Sequence, residues 1–114
     1  MKNRVQLIGN MGQDPEVKNL ANNKKMAQMR IATSESYRGA DGKRVENTQW
    51  HTVVAWGSLA EIAERYVRKG NRVAIEGKLV HRSYEDKNGL KKYITEIVAG
   101  DMVMLDGRKE EKPF

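Results

Sequence analysis

The chain has 114 residues, 39% of them hydrophobic and 32% charged, a balance that suits one domain and leaves no room for a second. It has no cysteine, which excludes disulfides, thiolate zinc sites and cysteine nucleophiles, and its first apolar stretch is too short and polar for a signal peptide or membrane span. A net charge of +6, spread along the whole length, points to a broad positive field that faces phosphates, in a protein expected to be cytoplasmic.

Val5 to Ile8 is a short strand that leaves through Gly9, Asn10, Gly12 and Asp14-Pro15, a turn-rich stretch. After polar residues 19–25, Ala27, Met29 and Ile31 alternate with Gln28 and Arg30, which predicts a second strand over 26–34 with one buried face. Residues 37–46, with Gly39 and Asp41-Gly42 and almost nothing apolar, predict an exposed hairpin loop. The third strand, 49–56, puts Trp50, Thr52, Val54 and Trp56 on one face and His51, Val53 and Ala55 on the other. Ser58 and Glu61 form a capping box ahead of the one helix, whose apolar face is Leu59, Ile62, Ala63, Tyr66 and Val67, with Gly70 as its left-handed stop. Period two returns from Arg72 and continues to Tyr84, a turn follows at 85–89, and 93–98 pairs back as the second arm. Met102 to Leu105 is a last short apolar stretch. Residues 106–114 carry three acids, three bases and a proline without periodicity, and are expected to form a short flexible tail after a domain spanning 1–105.

Three strands, a helix and then a hairpin is the order of the OB-fold, so the predicted class is all-β, a five-stranded Greek-key barrel with one helix between strands three and four.

An enzyme is poorly supported by the residue types present. His51 and His81 are the only histidines, in no metal-ligating spacing, and residues 9–12 match neither a dinucleotide fingerprint nor a phosphate loop. No serine lies in a nucleophile elbow, so no catalytic residue, metal or cofactor is expected. The seven aromatics are more informative, because Tyr37, Trp50, Trp56 and Tyr84 lie among polar or charged neighbours. Bases of a single strand stack on such rings while nearby Lys or Arg neutralise phosphates, as Tyr37-Arg38 and Arg82-Ser83-Tyr84 would allow. Periodicity alone leaves Trp50 and Trp56 divided between a barrel core and a stacking surface. Tyr66 and Tyr93 are expected to be structural.

The sequence resembles the bacterial single-stranded DNA-binding proteins of the homotetrameric OB-fold type. The resemblance rests on residues 3–17 (NRVQLIGNMGQDPEV), 32–37 (ATSESY), 49–57 (QWHTVVAWG), 66–70 (YVRKG), 73–77 (VAIEG) and 93–98 (YITEIV), which cover nearly the whole chain. It implies that Tyr37, Trp50, Trp56 and Tyr84 stack on bases and that Arg4, Lys18, Arg38, Lys69 and Arg82 lie along the phosphate path. Tyr37 and Tyr84 stand where relatives usually carry tryptophan, Trp56 where they often carry phenylalanine, and Thr52 and Ser58 where they are often basic. It implies an oligomer interface around His51, Arg4 and Glu76, and single-stranded DNA and further copies of the chain as partners, with no membrane. Relatives commonly end in a long linker and an acidic tip that docks DNA-maintenance proteins; here Glu110 and Glu111 are offset by Arg108, Lys109 and Lys112, so recruitment through the tail is expected to be weak or absent. The expected function is protection of single-stranded DNA in replication, recombination and repair. A dimeric OB-fold primosome accessory protein or an RNA-binding module are the alternatives.

Overall fold

The computed structural model describes residues 2–105; the expectations for the tail lie outside them. The elements run β1 (Val5–Met11), β2 (Glu16–Leu20), a 3-10 turn (Ala21–Asn23), β3 (Lys24–Arg38), β4 (Arg44–Trp56), α1 (Ser58–Tyr66), β5 (Arg72–Glu85) and β6 (Lys91–Met104). Their order in the sheet is β1-β5-β6-β4-β3-β2, and a further pairing of β1 with β3 closes it. Five strands therefore form the barrel, with β4 and β6 running parallel at Val53↔Ile97 and Val54↔Val98 and the other ladders antiparallel. This is the predicted OB-fold, with the helix between β4 and β5.

β2 adds one strand to the prediction. It continues along the edge of β3 that β1 leaves, so β1 and β2 are two halves of one bent first strand. Only Val17 of its five residues turns partly inward, too little alternation to reveal a strand in the sequence. Closure depends on Gly9: a Cβ there would strike the carbonyl oxygen of Ala32 and come within 2.9 Å of Ile31 Cγ2, so only a hydrogen lets β1 approach β3.

Inside lie Met11, Ala27, Met29, Ile31, Val53, Ala55, Val73, Ile75, Ile97 and Ala99, with Ala60, Ala63 and Val67 from the helix. Each large side chain fully withdrawn from water contributes about 1.5–3 kcal/mol. The helix closes one end of the barrel, and its geometry corrects two expectations. Gly57, at φ 62° and ψ −128°, is the N-cap; Glu61 N–H donates to its carbonyl at 3.1 Å, and no side chain caps the helix, so Ser58 and Glu61 form no capping box. The buried face is Ala60, Ala63 and Val67 with Leu59 partly covered, while Ile62 and Tyr66 face solvent. A helix seated on a narrow barrel mouth packs closest through its small residues.

The two long hairpins run past the barrel. β3 and β4 stay in register out to Arg38↔Arg44, so the expected loop at 37–46 shrinks to a turn over 39–43, held by Gly39 N–H to Lys43 O at 2.8 Å. β5 and β6 pair out to Glu85↔Lys91, and the two apolar stretches at 93–98 and 102–105 join in one strand bent by a bulge opposite Glu76 and Gly77. These arms explain a radius of gyration of 16.6 Å, against about 13 Å for a compact chain of about 100 residues. Among the described residues no helix is long and apolar enough to cross a membrane, and no three His, Asp or Glu side chains cluster as a metal site.

Candidate nucleic-acid interface

The register of β3 against β4 decides which face the tryptophans take. Ala27, Met29, Ile31, Val53 and Ala55 fill the core, so the alternate positions take the other face: Met26↔Trp56, Gln28↔Val54, Arg30↔Thr52 and Ala32↔Trp50, with Val54 alone of these buried. Trp50 is 54% exposed and Trp56 44% exposed, on one face of one strand. With a rise of about 3.4 Å per residue, roughly 20 Å separates their backbones. β2 extends this face, because Lys18 pairs with Met26 and so stands in one row with Trp56. Arg30 holds its guanidinium carbon 5.6 Å from the centroid of the Trp50 ring, a cation over a π-face. On another side the Trp50 ring rests against Gly12, where a Cβ would come 2.7 Å from Cη2 and closer still to Cζ3.

The parallel ladder carries the same face onto the β5–β6 arm. Val54 pairs with Val98, Val98 with Lys78, and the positions alternating from there are Val80↔Glu96, Arg82↔Ile94 and Tyr84↔Lys92. Arg82 and Tyr84 therefore share the parity of the tryptophans. Arg82 Nε donates to Glu96 Oε1 at 2.9 Å, and this hydrogen bond, then the charge of Glu96, raises the arginine pKa above its ordinary value. Glu96 is buried, whereas Arg82 stays half-exposed and keeps both Nη groups without a hydrogen bond among the described residues. The pair thus fixes the guanidinium by one nitrogen and leaves its outer edge open.

Tyr37 is exposed near the end of the other arm, across from Val45 and on the parity opposite to the tryptophans. Tyr66 and Tyr93, expected to be structural, are both exposed. Tyr93, at 77%, is the most exposed of the large hydrophobic residues described, and Lys91 Nζ lies 5.9 Å from its ring centroid. It sits across from Ser83, on the side of the arm away from Tyr84. The β-branched character of 93–98 suggests burial, but the strand has left the barrel at Tyr93 and both its faces are wet.

Among the basic candidates, Lys18, Arg38 and Arg82 have the parity of the tryptophan face, and Arg30 joins them although sequence reasoning missed it. The signal was present in the alternation: Arg30 is out of phase with Ala27, Met29 and Ile31 and stands opposite Thr52. Lys69 follows the helix, its backbone N–H bonded to Asp14 Oδ1 at 2.8 Å and its side chain exposed. Arg4 is ion-paired with Glu76, which also accepts from Gln6 Nε2 at 3.5 Å. Asn3 fixes that segment by donating to Leu79 O at 2.8 Å and accepting from Leu79 N–H at 2.9 Å. Arg4 and Glu76 thus meet on the outside of β1 and β5. His51 lies elsewhere, half-buried on β4 across from Ile31, with Nε2 2.9 Å from Thr33 Oγ1. An open cleft of about 550 Å³ beside Trp56 is lined by Lys24, Lys25, Gly57, Ser58 and Glu61; Lys25 is engaged by Glu64 at 2.6 Å, and Lys24 has no ion pair among the described residues.

A closed barrel whose outer face carries exposed rings interleaved with cations defines an OB-fold protein of the kind built to hold nucleic-acid strands. The chain belongs to the single-strand binding protein family, whose model matches residues 2–105. It is 47% identical over 107 residues to single-stranded DNA-binding protein 1 of Chlorobaculum tepidum, covering 93% of this chain and 66% of the relative. Against the single-stranded DNA-binding protein of Neisseria meningitidis serogroup A the identity is 43% over 108 residues, covering 95% and 62%. The chain therefore spans somewhat less than two thirds of the length of these relatives. Among solved structures, the SSB of Plasmodium falciparum in complex with ssDNA superposes with a TM-score of 0.85 at 32% identity, covering 93% of this chain and 97% of that one. A deletion mutant of the single-stranded DNA binding protein from Thermus aquaticus gives a TM-score of 0.81 at 26% identity, covering 94% and 52%.

Proposed function

We propose that this chain binds single-stranded DNA without sequence preference and shields it during replication, recombination and repair, as a cofactor-free binding protein and not an enzyme. The observation that carries this reading is the outward placement of Trp50 and Trp56 with Lys18 and Arg30 between and beside them. Rings that face water can stack on bases whatever their identity, and cations at intervals hold the phosphates. Tyr84 extends the stacking surface onto the β5–β6 arm, Tyr37 offers a further stacking ring on the other face of the β3–β4 arm, and Arg38, Lys69 and Arg82 extend the phosphate path. Arg4, tied to Glu76, serves assembly more than DNA.

The assembly is a homotetramer in this reading. Ile8, Ala74 and Val103 form an apolar row on the outside of β1, β5 and β6, beside a cleft of about 280 Å³ that also reaches Gln6, Glu76 and Asp101. Ile8 and Val103 are largely exposed in the single chain, which favours a second copy over water. Four copies at +6 each would carry +24, enough to draw a polyanion around the particle and make binding steeply salt-dependent. The cytoplasm, at the nucleoid, is the place of action that follows.

The test is a titration with oligo-dT of about 35 and about 70 nucleotides, the matching RNA and a duplex, following tryptophan fluorescence and the mass of the complex. Strong quenching by single-stranded DNA, with four chains per particle, is the expected result. Equal response to duplex, or no quenching, would overturn the reading. Preference for RNA would favour the RNA-binding module, and a dimeric mass the primosome type.

A further inference from the structure

The β3–β4 arm ends on two arginines set against each other. Register places Arg38 directly across from Arg44, both on the parity of Trp50, Trp56 and Arg30. Like charges in this position destabilise a ladder, and no carboxylate relieves them: neither guanidinium is in an ion pair among the described residues. Asp41, in the turn, directs Oδ1 to the backbone N–H of Lys43 at 3.0 Å, and Glu46 stands across from Ser36 without reaching either arginine. Neutral oxygens hold the guanidinia instead. Arg38 Nη1 donates to Gly42 O at 3.3 Å, and Arg44 Nη2 donates to Ser36 Oγ at 3.2 Å. Such acceptors fix direction and leave the charge uncompensated. Both side chains, with Ser36 and Tyr37, line an open cleft of about 290 Å³.

We propose that Arg38 and Arg44 form one oxyanion fork that takes a single phosphodiester of the bound strand on the tryptophan face of the arm. This rests on the reading of the chain as a single-stranded DNA binder and adds Arg44, which neither the motifs nor the comparisons single out. Two planar guanidinia present paired donors to the oxygens of one phosphate, and an anion between them converts their mutual repulsion into attraction on both sides. The empty fork is the strained state of the arm and the occupied fork the relaxed one.

The consequence is an effect of opposite sign on stability and binding. Arg44→Gln should leave the melting temperature of the DNA-free protein unchanged or raised while weakening oligo-dT binding, and should reduce the slope of log K against log salt by at most about 0.7, the value for one phosphate no longer neutralised on a single strand. Lys43→Gln removes the same formal charge one residue away in the turn and should retain more of the slope. Inorganic phosphate, compared with chloride at equal ionic strength, should raise the wild-type melting temperature more than that of Arg44→Gln. If Arg44→Gln and Lys43→Gln have equal effects on binding and slope, the fork is refuted. It is also refuted if Arg44→Gln lowers stability and affinity together, or if phosphate alone stabilises the wild type while Arg44→Gln still binds dT normally. Failure of the wild type itself to bind dT would instead overturn the underlying function.

Discussion

Gly12→Ala is a substitution that should damage the site and spare the fold. Its Cβ would lie 2.7 Å from Trp50 Cη2, whereas carbons pack at about 3.5–4.0 Å, so the ring must move by about 1 Å or more. No backbone atom is among the nearest neighbours of that Cβ, and Trp50 is half-exposed, so the ring can give way without disturbing the barrel. Stacking of a base on an aromatic ring contributes about 1–3 kcal/mol, so complete loss of the Trp50 platform would weaken oligo-dT binding by about fivefold to 150-fold. Gly12→Ala should fall within this range without exceeding Trp50→Ala, and the double variant should add little to Trp50→Ala because both act through one ring. Affinity is measured by tryptophan fluorescence titration at fixed salt and stability by thermal melting. Gly9→Ala is the contrasting control, because its Cβ meets the main chain of β3 and should destabilise closure by about 1–3 kcal/mol. Unchanged affinity in Gly12→Ala, alongside a clear loss in Trp50→Ala, would refute the packing argument; no loss in either would refute the stacking role of Trp50.

Met29, fully buried in the barrel, should cost about 2–5 kcal/mol on truncation to alanine, read as a lower melting temperature with the DNA affinity of the remaining folded protein little changed. Arg82→Ala leaves the buried Glu96 without its donor and should lower the melting temperature more than Glu96→Gln, which keeps an acceptor for Arg82 Nε; the reverse order in thermal melts would contradict the assigned pairing. Because the folded-state pKa of Arg82 is raised, its stabilisation is fully present below the ordinary arginine range and is lost only as pH rises beyond it, so this pair should add no slope to stability between about pH 7 and about pH 10 in melts of wild type against Glu96→Gln.

Much of the barrel was legible because Ala27, Met29 and Ile31 alternate so regularly, yet alternation names two faces without saying which is inside. In β4 the apolar count even favours the wrong side, since Trp50, Val54 and Trp56 outweigh His51, Val53 and Ala55. What decides is volume: a five-stranded interior already filled by Met29, Ile31 and Val73 accommodates Val53 and Ala55 but has no space for two indoles. The same limit explains the helix, where the small Ala60 and Ala63 go inward and Ile62 and Tyr66 stay outside. The Arg82–Glu96 and Arg38–Arg44 relationships were out of reach for another reason. They depend on hairpin register, which fixes partners fourteen and six positions apart and is set by turns whose length the sequence left open.

The parallel seam between β4 and β6 has a kinetic consequence. It joins only Val53 to Ile97 and Val54 to Val98, positions 44 residues apart, whereas each hairpin zips outward from its own turn. Local pairing is fast, and bridging a long intervening chain is entropically slow, so the two hairpins should form first, and the seam and the β1–β5 ladder, whose partners lie 62 to 72 residues apart, should form later. In the folded protein the barrel is closed by two such short seams, this one and the β1–β3 pairing at Asn10↔Ala32 and Met11↔Ile31, and amide exchange should be faster at both than in the middle of the two long hairpin ladders.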